Sequence, residues 1–287
     1  MQTLSEIKAL LAAHGIRPKH RFGQNFLHDH NQLRKLVDAA AVTPGELVLE
    51  VGPGTGTLTE TLVEAGANVI ACEIDPDMRA IVQGRLGERV TLVAGDCLDG
   101  KRALSPEVLA ALHGRPFVLV ANLPYNAASP LMAILAGRHP ECRGQFVTVQ
   151  KEVADRVRAA TNTRDYGPLT ALLQLTSDIR EIAVVKPGSF WPAPDVISAM
   201  IALVPKPTPF ATADELDRFE RFTHELFSKR RKQLGSILRD LHGRTDNGLW
   251  PAGITSDLRP EVLSPNQILE LMRLREGPEQ RLDQDLR

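Results

Sequence analysis

Apolar residues along this chain fall into two alternating patterns. Near-continuous β-branched runs at 46–51 (ELVLEV), 69–74 (VIACEI), 90–94 (VTLVA), 117–121 (FVLVA) and 145–149 (QFVTV) have the character of strands buried on both faces. Between them lie helically spaced stretches near 30–41, 57–66, 76–86, 106–113 and 129–137; in the first, Leu33, Leu36, Val37 and Ala40 follow the 3.6-residue period of a packed helix. This alternation predicts βαβ units and a parallel sheet covered by helices on both faces. Two later strand-like runs, 179–185 and 197–204, flank the proline-rich stretch Lys186 to Pro194 and are expected to close the sheet as an antiparallel pair. Pro205-Lys-Pro-Thr-Pro209 has linker composition, and from Asp214 onward the pattern is helical. The expected organisation is an N-terminal basic arm over 1–28, a Rossmann-like α/β domain over 29–205 and a smaller all-helical domain over 206–287.

Composition narrows the function classes. A chain of 287 residues with 43% hydrophobic content can bury one large core and a smaller one. It has neither an apolar leader region nor a run approaching eighteen apolar residues, so cytoplasm is expected, without a membrane partner. Cys72, Cys97 and Cys142 are odd in number and form no CxxC, which fits a reducing compartment and argues against a zinc ribbon or a cysteine nucleophile. His28-Asp-His30 has no further ligand-rich sequence around it, so no metal is expected, and Met78, Met132 and Met200 read as core filler. Net charge is −1, but cations concentrate in Arg17-Pro-Lys-His-Arg21 and in Phe227-Ser-Lys-Arg-Arg-Lys-Gln-Leu234, the second expected on a helix. Local surplus of this kind suits phosphate contacts whatever the overall sum.

Two segments carry the chemistry. Glu50-Val-Gly-Pro-Gly-Thr-Gly56 follows the first strand and opens a helix, so backbone amides and a helix N-terminus face a ligand at the C-terminal edge of the sheet. Its GxGxG spacing differs from the dinucleotide fingerprint, and it lacks the lysine of a P-loop. Glu73 ends the second strand, where a carboxylate can accept both hydroxyls of a ribose; Asp96, after the third, can accept from an adenine amine. About seventy residues after the turn stands Asn122-Leu-Pro-Tyr125. Asparagine offers a neutral carbonyl acceptor, and the proline biases Leu123 to an extended conformation. Two acceptors beside an aromatic face suit a flat base with an exocyclic NH2. The expectation is a methyl-donor site facing an amine acceptor: the Asn122 side-chain oxygen and a carbonyl near Leu123 take the two N6 hydrogens, Tyr125 stacks on the base and Phe190 closes its other face.

These motifs, with Phe22-Gly-Gln-Asn-Phe-Leu27, Gly95-Asp96, Gln150-Lys-Glu-Val153, Tyr166-Gly167, Phe190-x-Pro-x-Pro-x-Val-x-Ser-Ala199 and Phe227-x-x-Arg-Arg-Lys232, follow a fixed order. Over about Lys19 to Leu238 the chain resembles the ribosomal RNA adenine N6,N6-dimethyltransferases of the small-subunit type, with the erythromycin-resistance methyltransferases as cousins. The resemblance implies S-adenosyl-L-methionine held by Asn25, Leu27, the Gly52–Gly54 turn, Glu73, Asp96 and Asn122. It implies a target adenine presented by Asn122 and Tyr125, small-subunit rRNA or an immature 30S particle as partner, and a monomer. Arg230 and Arg231 are the expected RNA contacts of the helical domain. This chain departs from the family pattern at Ala127-Ala128, Asp195 and Gly235, and Leu123 in place of isoleucine tilts the reading toward the small subunit. A resistance-type large-subunit enzyme and a non-catalytic assembly factor are the rival readings.

Overall fold

The structure is a computed structural model that describes residues 1–19, 22–100, 102–242 and 250–276. Its elements run α1 (Leu4–Ala13), β1 (Phe26–Leu27), α2 (His30–Ala40), β2 (Leu47–Val51), α3 (Thr57–Glu64), β3 (Asn68–Glu73), α4 (Pro76–Leu86) and β4 (Val90–Ala94). Next come β5 (Leu98–Asp99), β6 (Ala103–Leu104), α5 (Pro106–Leu112), β7 (Phe117–Asn122), α6 (Tyr125–Arg138), β8 (Cys142–Gln150), α7 (Lys151–Val157) and α8 (Pro168–Thr176). The chain continues with β9 (Ser177–Val185), β10 (Phe190–Trp191), β11 (Ser198–Pro205), α9 (Ala213–Ser228), α10 (Leu234–His242) and α11 (Pro265–Glu276).

The main sheet has seven strands in the order β4-β3-β2-β7-β8-β11-β9. The first five are parallel neighbours, and β11 runs antiparallel to both β8 and β9. The fold is thus a Rossmann-like α/β sheet with an antiparallel edge, as the run pattern predicts. Every residue of β2 is buried, which explains why its sequence, Glu50 aside, is a continuous apolar run instead of an alternating one. Helix starts are written locally: Asp29, Asp75 and Ser105 cap α2, α4 and α5, the last two with proline in the first turn. Strand order reverses direction between β2 and β7, with β3 on one side and β8 on the other. Ligands of open α/β sheets bind in the crevice beyond the strand ends at such a switch point. The glycine turn leaves β2 there and Asn122 ends β7 there.

The chain divides into two compact units, residues 1–154 with 177–206 and residues 155–176 with 207–287. This corrects two expected boundaries. The first 28 residues group with the α/β unit: Thr3 and Glu6 form a capping box that starts α1, whose Ile7 and Leu11 are buried with Phe26, Met78 and Ile81. Residues 155–176, expected inside the α/β domain, group with the helical unit. There α8 is buried along most of its length and packs against α9 and α11. Tyr166, just before it, is fully buried, donates to the Leu263 carbonyl at 2.9 Å and meets Phe227 edge-on. A helix this apolar needs cover on more than one side, and a sequence-local reading cannot see which later elements supply it.

Candidate active site

A cavity of about 200 Å³ opens at the switch point, wholly within the α/β unit. Its floor is the glycine turn. Gly52, Gly54 and Gly56 have φ of 73°, 58° and 81°, a region costly to residues with a Cβ. Two of them also permit close approach: a Cβ on Gly52 would lie 3.1 Å from the Pro124 ring, and one on Gly54 would lie 2.9 Å from the Phe26 ring. The turn therefore touches both the acceptor motif and the N-terminal segment.

The carboxylates line the same cavity. Glu73 is buried; its Oε1 accepts from the Asp75 N–H at 2.8 Å and its Oε2 from the Gly54 N–H at 3.3 Å, so the strand end and the glycine turn are locked together. Burial raises its pKa above the ordinary carboxylate range, and the backbone donors partly offset this. Glu50 is fully buried near the end of β2, and burial, partly offset by the Thr59 hydroxyl and reinforced by the neighbouring Glu73 charge, pushes its pKa up to about 8. Asp96 is exposed at the rim and uses Oδ1 to accept from the Leu98 N–H at 3.0 Å. Three carboxylates and, among the described residues, no lysine, arginine or histidine line this cavity. Such a donor set suits a ligand that is cationic and free of phosphate, which an adenosine carrying a sulfonium and an amino group is. S-adenosylmethionine fits these residues; a dinucleotide would bring phosphates to a wall of carboxylates.

Opposite stands the acceptor motif. The Leu123 N–H donates to the Thr148 carbonyl at 3.1 Å, which fixes the segment to β8, and no hydrogen bond among the described residues uses the Leu123 carbonyl. Asn122 donates Nδ2–H to the backbone carbonyl of Asn25 at 3.1 Å. The reverse amide orientation would set two acceptors face to face, so the side-chain oxygen is the end left for a ligand. Tyr125 begins α6, half-exposed at the cavity, and its hydroxyl lies 3.2 Å from that of Ser198, a fully buried residue of β11.

The remaining sequence-predicted residues divide. Leu27 and Phe190 are paired in the short β1–β10 ladder, both buried in the core and both lining the cavity. Asn25 lines it too; its backbone carbonyl accepts from Asn122, and its side-chain Nδ2 donates to the Gly23 carbonyl at 3.2 Å. Arg230 and Arg231 belong to the other unit. Their cation run lies after α9, which ends at Ser228, and before α10, on a turn where a helix was expected. Lys229 and Lys232 share the Asp240 carboxylate at 3.1 and 3.4 Å, Arg230 donates to the Arg164 and Thr163 carbonyls at 2.9 and 3.2 Å, and Arg231 is exposed. A helix carrying four adjacent cations would repel itself, whereas a turn spreads them onto separate acceptors. Of the N-terminal basic cluster, His20 and Arg21 lie outside the described residues and Lys19 is engaged by Asp75 and Asp77.

Sequence reasoning missed Ile74, Asp75 and Ser198. Ile74, beside Glu73 on the cavity wall, is 44% exposed; an apolar residue one step past a buried strand end was the available signal. Asp75-Pro76 reads as a helix start, which hides its second set of partners. Ser198 falls within the Phe190–Ala199 motif, but its partner is not legible there, because its meeting with Tyr125 spans 73 residues.

The family model for ribosomal RNA adenine dimethylase matches residues 15–275. The chain is 40% identical to the ribosomal RNA small subunit methyltransferase A of Phenylobacterium zucineum, covering 88% of each sequence. It is 39% identical to the protein of that name from Aromatoleum aromaticum, covering 86% of this chain and 90% of that one. Among solved structures, a dimethyladenosine transferase from Plasmodium falciparum superposes with a TM-score of 0.69 at 26% identity, covering 86% of this chain and 95% of the other. The 23S rRNA methyltransferase ErmE shares the fold, with a TM-score of 0.63 at 24% identity over 88% of this chain and all of the other. No helix among the described residues is long and apolar enough to cross a membrane. With a switch-point cavity suited to S-adenosylmethionine as cofactor, the chain is an enzyme of the ribosomal RNA adenine dimethylase family, to which its sequence match assigns it.

Proposed function

We propose that this enzyme dimethylates N6 of two adjacent adenines in the hairpin near the 3′ end of small-subunit (16S) rRNA, acting in the cytoplasm as a monomer on an immature 30S particle during ribosome biogenesis. The observation that carries the acceptor half is the Asn122 amide, whose nitrogen is engaged by the Asn25 carbonyl so that its oxygen remains for a base.

An adenine amine is a poor nucleophile because its lone pair is delocalised into the ring. Bound S-adenosylmethionine supplies an electrophilic sulfonium methyl. The protein's part is to bind and align. Asn25, Leu27 and the Gly52–Gly54 turn cradle the donor, Glu73 takes the ribose hydroxyls and Asp96 the adenine amine. A cation beside Glu50 favours its carboxylate form and reverses the effect of burial. Asn122 Oδ1 and the Leu123 carbonyl accept the two N6 hydrogens, which turns the nitrogen lone pair toward the donor and stabilises the positive charge developing on nitrogen. Tyr125 replaces the stacking lost when the base leaves its helix, and Phe190 backs the slot. Arg230 and Arg231, with the helical unit around them, contribute phosphate contacts.

The test is transfer of labelled methyl groups to unmethylated small and large ribosomal subunits in parallel, followed by nucleoside analysis. Dimethyladenosine in the small subunit alone is expected. Label in the large subunit would reassign the substrate to the resistance class, and donor binding without label would leave an assembly factor.

A further inference from the structure

One buried acid stands outside the roles assigned so far. The Asp75 side chain is fully buried, whereas helix capping needs only one oxygen at a surface. Its Oδ1 accepts from Lys19 Nζ at 2.7 Å and from the Asp77 N–H at 3.1 Å; its Oδ2 accepts from Gln24 Nε2 at 2.7 Å. Gln24 Oε1 in turn accepts from the Lys19 N–H at 2.7 Å, so the two ends of this short segment are tied to each other and to one carboxylate. The very next residue is Asn25, whose carbonyl holds Asn122 Nδ2 at 3.1 Å. On the other side, the Asp75 N–H donates to Glu73 Oε1 at 2.8 Å. A continuous series of hydrogen bonds and one peptide link therefore runs from Glu73 through Asp75 and Gln24 to the Asn122 amide.

We propose that Asp75, acting through Gln24 and Lys19, is a positioning residue for methyl transfer: it anchors the strap whose Asn25 carbonyl turns the Asn122 amide oxygen toward the acceptor amine. The proposal rests on the role given to Asn122 above. It also joins the two halves of the site, because the carboxylate next to the donor ribose and the amide facing the base share one anchor. Amide orientation has only two useful states, and among the described residues the Asn25 carbonyl is the hydrogen-bond partner of Asn122 Nδ2 that selects between them. A loosened strap lets the amide rotate, and misalignment on the order of 1 Å can cost as much as a hundredfold in rate.

Gln24→Ala is the principal variant, because Gln24 is only half-buried and its loss leaves the Asp75 cap and ion pair in place; Asp75→Asn is its companion. Three readings are taken on the full chain: single-turnover methyl transfer to small subunits, affinity for S-adenosylhomocysteine, and hydrogen exchange of the peptide covering residues 22–28. The expected result for Gln24→Ala is roughly a tenfold fall in transfer rate that exceeds the loss in donor affinity, with faster exchange across 22–28. In an Asn122→Ala background the same change should have no further effect on rate. A wild-type rate despite a deprotected strap, or the same fold-loss in both backgrounds, overturns the proposal. If Asn122→Ala itself transfers normally, the reading of the acceptor site fails first.

Discussion

The two walls of the cavity are built by different means. The donor wall is held by backbone: glycines in conformations costly to other residues, a carboxylate locked by two main-chain N–H groups, and a second carboxylate fully buried at the strand end. The acceptor wall is tied to β8 through the Leu123 N–H, but its functional side chains are aimed by single hydrogen bonds, Asn122 to the Asn25 carbonyl and Tyr125 to Ser198. A donor that is the same at every turnover can be met by a rigid surface whose burial costs are met during folding. A base drawn out of RNA, and returning with one methyl already attached, needs groups that are aimed but adjustable. Binding is thus expected to fail when the donor wall is altered, and rate when the acceptor wall is.

The largest expected effect is on the acceptor side. Asn122→Ala should raise the methyl-transfer barrier by about 2–4 kcal/mol, the range for losing one oriented polar group, with donor affinity much less affected. Single-turnover kinetics beside calorimetry with S-adenosylhomocysteine separates the two, and near-normal transfer would remove the residue from the mechanism.

The donor wall has a pH signature. Glu50 is held neutral by burial up to about pH 8, against 4.5 for the ordinary group, so between these values the folded protein binds a proton that the unfolded chain has released. Stability of the ligand-free enzyme should therefore fall as pH rises from about 4.5 to 8, by at most about 1.4 kcal/mol per pH unit for this one site, and level off above. Glu73, also raised, acts in the same direction. Denaturant titrations of Glu50→Gln across that window should show a flatter slope than the wild type; equal slopes would mean that Glu50 is ionised in the empty site.

Gly52→Ala tests the place where the walls touch. The left-handed conformation costs an alanine roughly 1–2 kcal/mol, and its Cβ would press on Pro124 at 3.1 Å. Donor affinity and transfer rate should fall together, unlike the result for Asn122. A smaller loss, about 0.5–1.5 kcal/mol, is expected when Ser198→Ala removes the partner of the Tyr125 hydroxyl. Tyr125→Phe should lose about as much, and the double variant no more than either. Additive losses would show that the two hydroxyls act separately. Smallest of all, Arg231→Ala in the helical unit should lower the salt-dependence slope of RNA binding by about one while leaving donor binding intact. Arg230→Ala should lower that slope as well and also reduce stability, since its guanidinium holds two carbonyls.

Much of the donor wall is legible in the sequence because its signals are local. A buried strand, a run of glycines and a carboxylate at the next strand end fall within 24 residues of one another, from Glu50 to Glu73. The acceptor motif is legible as a set of residue types, yet the partners that orient it are not. Asn25 precedes Asn122 by 97 residues and Ser198 follows Tyr125 by 73. The same holds for residues 155–176: Pro168 marks the start of the helix at 168–176, but its burial depends on α9 and α11, which come later in the chain. The cation run reads as a helix because nothing local to it shows that Asp240 and the carbonyls at 163 and 164 will share the charge.

By itself the sequence determined the alternation of buried strands and helices, the left-handed glycine conformations that are costly to other residues and the carboxylates at successive strand ends, because each rests on steric or periodic rules that act within a few residues. Which carbonyl holds the Asn122 amide, which hydroxyl meets Tyr125 and which acid anchors the N-terminal segment were decided only by the tertiary structure. Each is a hydrogen bond effective over about an ångström, between groups that only the completed sheet brings together.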